Sequence, residues 1–198
     1  MHRGDISGVI LAGGRGSRLD GDDKGLVDVA DRPMISYVIE RFVPQVSSLF
    51  INANRNTARY REFGYPVVAD TVDGFAGPLA GIAAVLALCK AEYLATAPCD
   101  SPFLPEDLVP RLAAALETAN AEIGVATSGG CPQPVFALIS SGLADSLSEY
   151  LSDGGRKILT WYRQRRLVAV DFGPDESPFA NINAPGDLAT AAGRLRGQ

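Results

Sequence analysis

Histidine is nearly absent from this 198-residue chain: the one copy is His2, next to the terminus. A Ser-His or Cys-His catalytic pair is therefore not expected, nor is a histidine-based metal site. The three cysteines, Cys89, Cys99 and Cys131, are odd in number and show no CxxC spacing, so neither a disulfide framework nor a zinc site is indicated. No apolar run approaches the roughly 20 residues needed to span a bilayer. The opening "MHRGDISGVI" runs straight into a strand-like segment without signal-peptide anatomy, so a cytoplasmic protein is expected. There is no excess of positive charge either. Eighteen Lys and Arg against 23 Asp and Glu leave a net charge of -5, which argues against nucleic acid as a partner but not against a local cationic pocket. With 46% hydrophobic and 21% charged residues, an ordinary folded domain is expected rather than disorder. Chemistry in such a chain falls to carboxylates, cations, backbone amides or a borrowed metal ion.

Strand-like and helix-like segments alternate along the chain. "ISGVIL" (6–11), "SLFINA" (48–53), "YPVVAD" (65–70), "AEYLATAPCD" (91–100), "AEIGVATS", "QPVFALI" and "LVAVDF" read as strands. Met34, Val38 and Phe42, with Ile35 and Ile39 alongside, put one broad apolar face on a helix over 33–43. Further helices are expected over 56–63, from Pro78 through "PLAGIAAVLALCK", over 105–119, near 141–151 and 155–165, and over 185–195. Trp161 and Tyr162 are expected in the core. This alternation predicts an α/β protein: one domain over 1–198, a three-layer α/β/α sandwich with a mainly parallel, Rossmann-like sheet. Residues beyond 128 are less regular and leave room for a lobe that closes over a ligand.

Ligands of such sheets sit beyond the carboxyl ends of the strands. That rule gathers three distant features at one rim: the loop after the first strand, Asp70 and Asp100. The loop, "VILAGGRGSRLDGDDKGLV", holds five glycines, the cations Arg15, Arg18 and Lys24, and the aspartates Asp20, Asp22 and Asp23. It is not a P-loop, because Lys24 is followed by Gly25 rather than Ser or Thr. It is not a dinucleotide fingerprint, because Leu19 stands at the third glycine position. Nor is it GxSxG. Gly13 and Gly14 nonetheless bare the backbone amides to an anion, and Arg18 and Lys24 add charge suited to a polyphosphate. The three aspartates are expected to turn to water, or one of them to orient Arg18 or Lys24. Asp100, followed by Ser101 and Pro102, reads either as a helix cap or turn residue or as a Mg²⁺ ligand. Asp70, Asn52 and Asn54 read either as turn formers or as readers of a base or ribose.

"LAGGRGSRLDGDDKG" resembles the LAGGxxxRMGxxK signature of the nucleotidyltransferase superfamily, with Leu19 for the usual Met and Asp20 for the usual Gly. "INANR", "VVAD", "GPLAGI", "CDSPFLP" and "FANINAPGDL" follow in the order found in the molybdenum cofactor guanylyltransferases of MobA type. The resemblance covers roughly residues 7–190. It implies a fold like that of nucleotide-diphospho-sugar transferases, and transfer of GMP from GTP to the phosphate of molybdenum-molybdopterin with release of pyrophosphate. On the matching positions, Leu11, Ala12, Gly13 and Gly14 would line the guanine nucleotide with backbone. Lys24 would bind phosphate, Asn52 and Asp70 the nucleoside, and Asp100 a Mg²⁺ ion. Arg18, Lys24 and Asp100 would form the catalytic group. Gly77 and Gly81 would let the helix at Pro78 approach closely, and Arg156, Lys157, Asn181 and Asn183 are candidates for the pterin side. Molybdoenzyme maturation proteins are the macromolecular partners it implies.

The implied chemistry suits the composition. A phosphate monoester has its second pKa near 6, so it is largely dianionic at neutral pH and needs no general base to attack the α-phosphorus. What must be overcome is the repulsion between anions. Three rivals stay open on sequence grounds: a cytidylyltransferase for the same pterin, a sugar-phosphate nucleotidyltransferase, and a catalytically silent nucleotide- or pterin-binding adaptor.

Overall fold

The computed structural model describes residues 2–13, 23–72 and 77–197. Its centre is β1 (Ile6–Leu11), whose six residues are all buried, as an uninterrupted apolar run requires of a strand covered on both faces. The strands that follow are β2 (Asp28–Val29), β3 (Arg32–Pro33), β4 (Ser48–Asn52), β5 (Val67–Val68), β6 (Tyr93–Pro98), β7 (Ile123–Ser128), β8 (Cys131–Ser140) and β9 (Leu167–Asp171). Seven of them form one sheet in the order β5-β4-β1-β6-β8-β7-β9. All run parallel except β8, which is antiparallel to both β6 and β7. The Gly129-Gly130 turn sends β8 back between β7 and β6, so the residues beyond 128 complete the main sheet and build no separate lobe.

The helices are α1 (Met34–Phe42), α2 (Thr57–Arg61), α3 (Pro78–Leu86), α4 (Leu108–Ala119), α5 (Ala144–Ser152), α6 (Ile158–Tyr162) and α7 (Pro185–Arg196). Side chains of β1 alternate between two cores. Ile6 and Ile10 meet Val38 and Phe42 of α1 and Leu112 and Leu116 of α4, while Val9 and Leu11 meet Leu79 and Ile82 of α3, Leu147 of α5, and Trp161 and Tyr162. This is the predicted three-layer arrangement.

The boundaries moved where backbone chemistry intervened. Pro33 caps α1 from an extended conformation instead of sitting in its first turn. α4 starts at Leu108 rather than Pro105, since Pro110 cannot donate to a preceding carbonyl and fits only a first turn. α3 ends at Leu86, and β5 shrinks to two residues. Register fixes the site: Leu11 lies opposite both Asn52 and Pro98, so β1, β4 and β6 end flush at one rim.

Candidate active site

Two side-chain clusters form on this rim. The first stands over β4. The Asn52 carbonyl accepts the Ala12 N–H at 2.8 Å, tying the start of the glycine loop to the strand. The buried Asn52 amide donates to the Val68 carbonyl at 3.1 Å and to Asp70 Oδ1 at 2.8 Å. Asn54 donates to Asp70 Oδ2 at 2.7 Å and accepts the Asp70 N–H at 2.8 Å. Asp70 thus receives one amide on each carboxylate oxygen, and its orientation is fixed from both sides. α3 lies directly on Asn52: a Cβ at Gly81 would stand 2.1 Å from Asn52 Oδ1. Gly77 differs from expectation. Among the described residues nothing stands beside it, and it serves the helix entry through its φ of +66°.

The second cluster stands over β6. The Cys99 N–H donates to the Leu11 carbonyl at 3.1 Å, so the exit of β6 is bonded to the exit of β1, one residue before Asp100. Lys24 Nζ lies 3.1 Å from Asp100 Oδ2 and also donates to Asn183 Oδ1. The segment carrying Asn183 is held there by three further bonds. The Ile182 N–H donates to the Asp100 carbonyl at 2.8 Å, the Ser101 hydroxyl donates to Asn181 Oδ1 at 2.8 Å, and the Asn183 N–H donates to Asp187 Oδ2 at 2.9 Å. Residues 76 and 159 positions from Lys24 in sequence meet at its ammonium. Cys99 is no nucleophile: burial, with the charge of Asp100 beside it, pushes its thiol well above the ordinary range.

Of the sequence-derived candidates, Leu11, Ala12, Gly13, Lys24, Asn52, Asp70, Asp100, Asn181 and Asn183 therefore share one rim. Gly14 and Arg18 lie outside the described residues, as do Asp20 and Asp22. Among the described residues, Arg156 and Lys157 make no hydrogen bond to either cluster. β8 ends, and β9 begins, at the amino-terminal edge of the sheet, so the turn between α5 and α6 points toward the rim. There the Arg156 guanidinium donates to the Leu151 and Gly155 carbonyls at 2.8 and 2.7 Å, closing off α5, with no bond to Lys24 or Asp100. Asp23 departs from expectation: it turns not to water but to the Tyr60 hydroxyl and the Asn56 amide. No spacing in the sequence pointed to Tyr60, a lone aromatic in a five-residue helix.

A mainly parallel sheet with a glycine loop after its first strand, and with amide, carboxylate and ammonium groups collected beyond its strand ends, is the nucleotidyltransferase arrangement. The description "MobA-like NTP transferase domain" matches residues 8–167. A protein of Cupriavidus pinatubonensis named molybdenum cofactor guanylyltransferase is 51% identical over 193 residues, covering 95% of this chain and 96% of that one. The chain belongs to the MobA-like NTP transferase family. Among solved structures, molybdopterin-guanine dinucleotide biosynthesis protein A from Archaeoglobus fulgidus superposes with a TM-score of 0.79 at 24% identity, covering 97% of this chain and all 100% of that one. A 4-diphosphocytidyl-2C-methyl-D-erythritol synthase from Anaerococcus prevotii superposes with a TM-score of 0.75 at 13% identity, covering 98% and 100%. At these identities the two structures speak for the fold alone, and the fold by itself does not choose the base.

Proposed function

We propose that this chain is a molybdenum cofactor guanylyltransferase, which transfers GMP from GTP to the phosphate of molybdenum-molybdopterin and releases pyrophosphate. The observation that carries the site assignment is the contact, beside the segment 11–13, between Lys24 and Asp100, 76 residues apart in sequence. In this reading the backbone of Leu11, Ala12 and Gly13 lines the nucleotide. The fixed Asn52–Asp70 pair takes the nucleoside, and Lys24 takes phosphate charge together with Arg18 and Gly14 of the loop. The attacking oxygen belongs to the pterin phosphate and needs no proton removed, so the chain's work is to hold two anions together and to steady the departing pyrophosphate.

Among the described residues no group of three or more His, Cys, Asp or Glu is placed to hold a metal. A Mg²⁺ ion asks for less where phosphate is present: one or two carboxylates, with phosphate oxygens and water completing the shell. Asp100 supplies such a carboxylate and Asn183 a second hard oxygen, and the pair already faces the Lys24 ammonium. The residues therefore fit the ion, with Asp100 as its ligand. Bound there, Mg²⁺ would offset charge on the phosphates.

Asn181 and Asn183 border the Lys24 cluster and are proposed to meet the second substrate where it approaches the α-phosphorus, with Arg156 and Lys157 further out on the pterin side. The whole of residues 1–198 acts as one transferase domain. Cytoplasmic residence, and delivery of the product to molybdoenzyme maturation proteins, complete the proposal; among the described residues no helix is long and apolar enough to cross a membrane.

Pyrophosphate release, measured with molybdopterin, Mg²⁺ and each of GTP, CTP and UTP in turn, tests this. Release with GTP well above the other two is expected. Equal use of CTP would return the chain to the cytidylyl class, and no release with any nucleotide would make it a silent binder. Asp100→Ala is expected to lower turnover at least ~10²-fold, as loss of a charge-organising group does in comparable sites. Wild-type turnover by the folded variant would refute the role of Asp100.

A further inference from the structure

Lys24 is flanked by one residue bonded to a particular oxygen atom and by another that packs close to the same atom. On its amino side, the Asp23 carboxylate accepts from the Tyr60 hydroxyl and, at 3.2 Å, from the Asn56 amide. On its carboxyl side, Gly25 packs so closely that a Cβ would stand 2.7 Å from the same Tyr60 oxygen and 3.3 Å from the sulfur of Cys99, the neighbour of Asp100. The backbone between them closes a single tight turn, with the Leu26 N–H donating to the Asp23 carbonyl at 2.8 Å and the Val27 N–H to the Lys24 carbonyl at 3.3 Å. Tyr60 itself is wholly buried, its ring 6.5 Å from that of Phe63. It is thus a fixed post, to which the chain is hydrogen-bonded immediately before Lys24 and against which it packs closely immediately after. From that footing the lysine ammonium reaches Asp100 Oδ2 at 3.1 Å and Asn183 Oδ1.

From this geometry we infer that Tyr60, acting through Asp23 and Gly25, is a positioning residue for Lys24, setting where its ammonium meets the phosphates of GTP. The inference rests on the phosphate role proposed for Lys24. Tyr60 touches no substrate. Its hydroxyl limits the play of the main chain at residues 23–25, and a lysine free to wander delivers less of its charge to the phosphates. The hydroxyl is held protonated, by burial first of all and by the neighbouring Cys99 and Asp23, so the donor is present throughout the neutral range.

The test is calorimetric titration of GTP, and of guanosine without phosphates, into the full chain. Tyr60→Phe keeps the ring and removes only the oxygen. Asp23→Asn leaves the core volume untouched and serves if Tyr60→Phe does not fold. Tyr162→Phe is the control, since it also removes a buried hydroxyl, one that donates to the Pro134 carbonyl at 3.0 Å in the other core. Both Tyr60→Phe and Asp23→Asn are expected to weaken GTP binding about 5- to 20-fold, within the range of coupling between neighbouring groups, with guanosine binding unchanged. Tyr162→Phe should leave both ligands within about twofold. In a Lys24→Ala background, Tyr60→Phe should add less than about twofold, because the two act as a unit. Unchanged GTP binding by both Tyr60→Phe and Asp23→Asn, while Lys24→Ala alone weakens it, overturns the inference and spares the phosphate role. The same loss for guanosine as for GTP, or an undiminished loss in the Lys24→Ala background, also overturns it, since either means that Tyr60 serves the fold at large. Unchanged GTP binding by Lys24→Ala instead removes the phosphate role on which the inference stands.

Discussion

Gly81 and Asn52 occupy space that a single added carbon would contest. The Asn52 amide is spent on Val68 and Asp70, so its Oδ1 is directed at α3 and has no second rotamer that keeps those bonds. Gly81→Ala would put a methyl 2.1 Å from that oxygen. Either α3 lifts from the sheet or Asn52 turns and releases Asp70. Overpacking of this kind costs about 1–3 kcal/mol in stability. The second consequence is the diagnostic one: with Asp70 released, GTP affinity is expected to fall about tenfold or more, while Gly77→Ala, with no described residue beside it but at positive φ, harms stability alone. Thermal unfolding and GTP titration of the two variants distinguish these outcomes. Equal GTP binding by Gly81→Ala and wild type would separate Asn52 from nucleotide recognition.

α7 shows how an element far from the glycine loop bears on it. Its first turn is closed by Asp187, whose Oδ2 accepts the N–H groups of Asn183 and Ala184, both at 2.9 Å. Its body packs Leu188, Ala191 and Leu195 against Met34, Tyr37 and Phe103. Asn183 therefore meets Lys24 from a backbone that Asp187 holds. The same two amide bonds hold the Asp187 carboxyl below its ordinary value. A carboxylate lowered on folding contributes stability that is present above its ordinary pKa of about 3.9 and lost as the pH falls through the lower folded value. Protection of the Asn183 and Ala184 amides, measured against their intrinsic exchange rates, should thus weaken in wild type only as the pH falls below about 4, and in Asp187→Ala should be weak already at pH 7. kcat/KM should fall about tenfold in that variant at neutral pH if the placement of Asn183 matters. Undiminished protection in Asp187→Ala would show that the Ile182–Asp100 and Ser101–Asn181 bonds hold the segment without it.

The same scale explains what the sequence could disclose. β1 and α3 were legible because a long apolar run has few other uses, and α1 because its buried residues recur every turn. The β2–β3 hairpin was not, because its two-residue turn is Ala30-Asp31, at φ of 48° and 67°, where such turns ordinarily carry Asn or Gly. The convergence of Lys24 and Asp100 followed from the rule that loops of parallel strands share a rim. The grip of Tyr60 on Asp23 did not, since their separation of 37 residues obeys no period and a tyrosine in a short helix looks like any other core aromatic.

Among the described residues, three weak acids are buried where burial outweighs any cation that favours ionisation: Cys99 and Tyr60 on the α1/α4 side of the sheet, near Lys24 and Arg55 respectively, and Tyr162 on the α3/α5 side. Burial raises all three above their ordinary values, in Tyr60 and Cys99 with help from neighbouring negative charge. Below the ordinary thiol and phenol values, folded and unfolded chains bind the same protons and stability is indifferent to these groups. Above them only the unfolded chain releases protons, so stability falls as pH rises, from about 8.5 for Cys99 and from about 10 for the phenols. Each group steepens the fall by about 1.4 kcal/mol per pH unit. Growing negative charge on an already acidic chain adds a background slope, which Phe substitution leaves unaltered. Urea unfolding from pH 8 to 11.5 should therefore show a slope that Tyr60→Phe and Tyr162→Phe each reduce by the same increment. The double variant should lose both increments, because the two phenols lie in separate cores and share no partner. A wild-type slope in either single variant would mean that its phenol reaches solvent in the folded chain; for Tyr60, that would also loosen the footing proposed for Lys24.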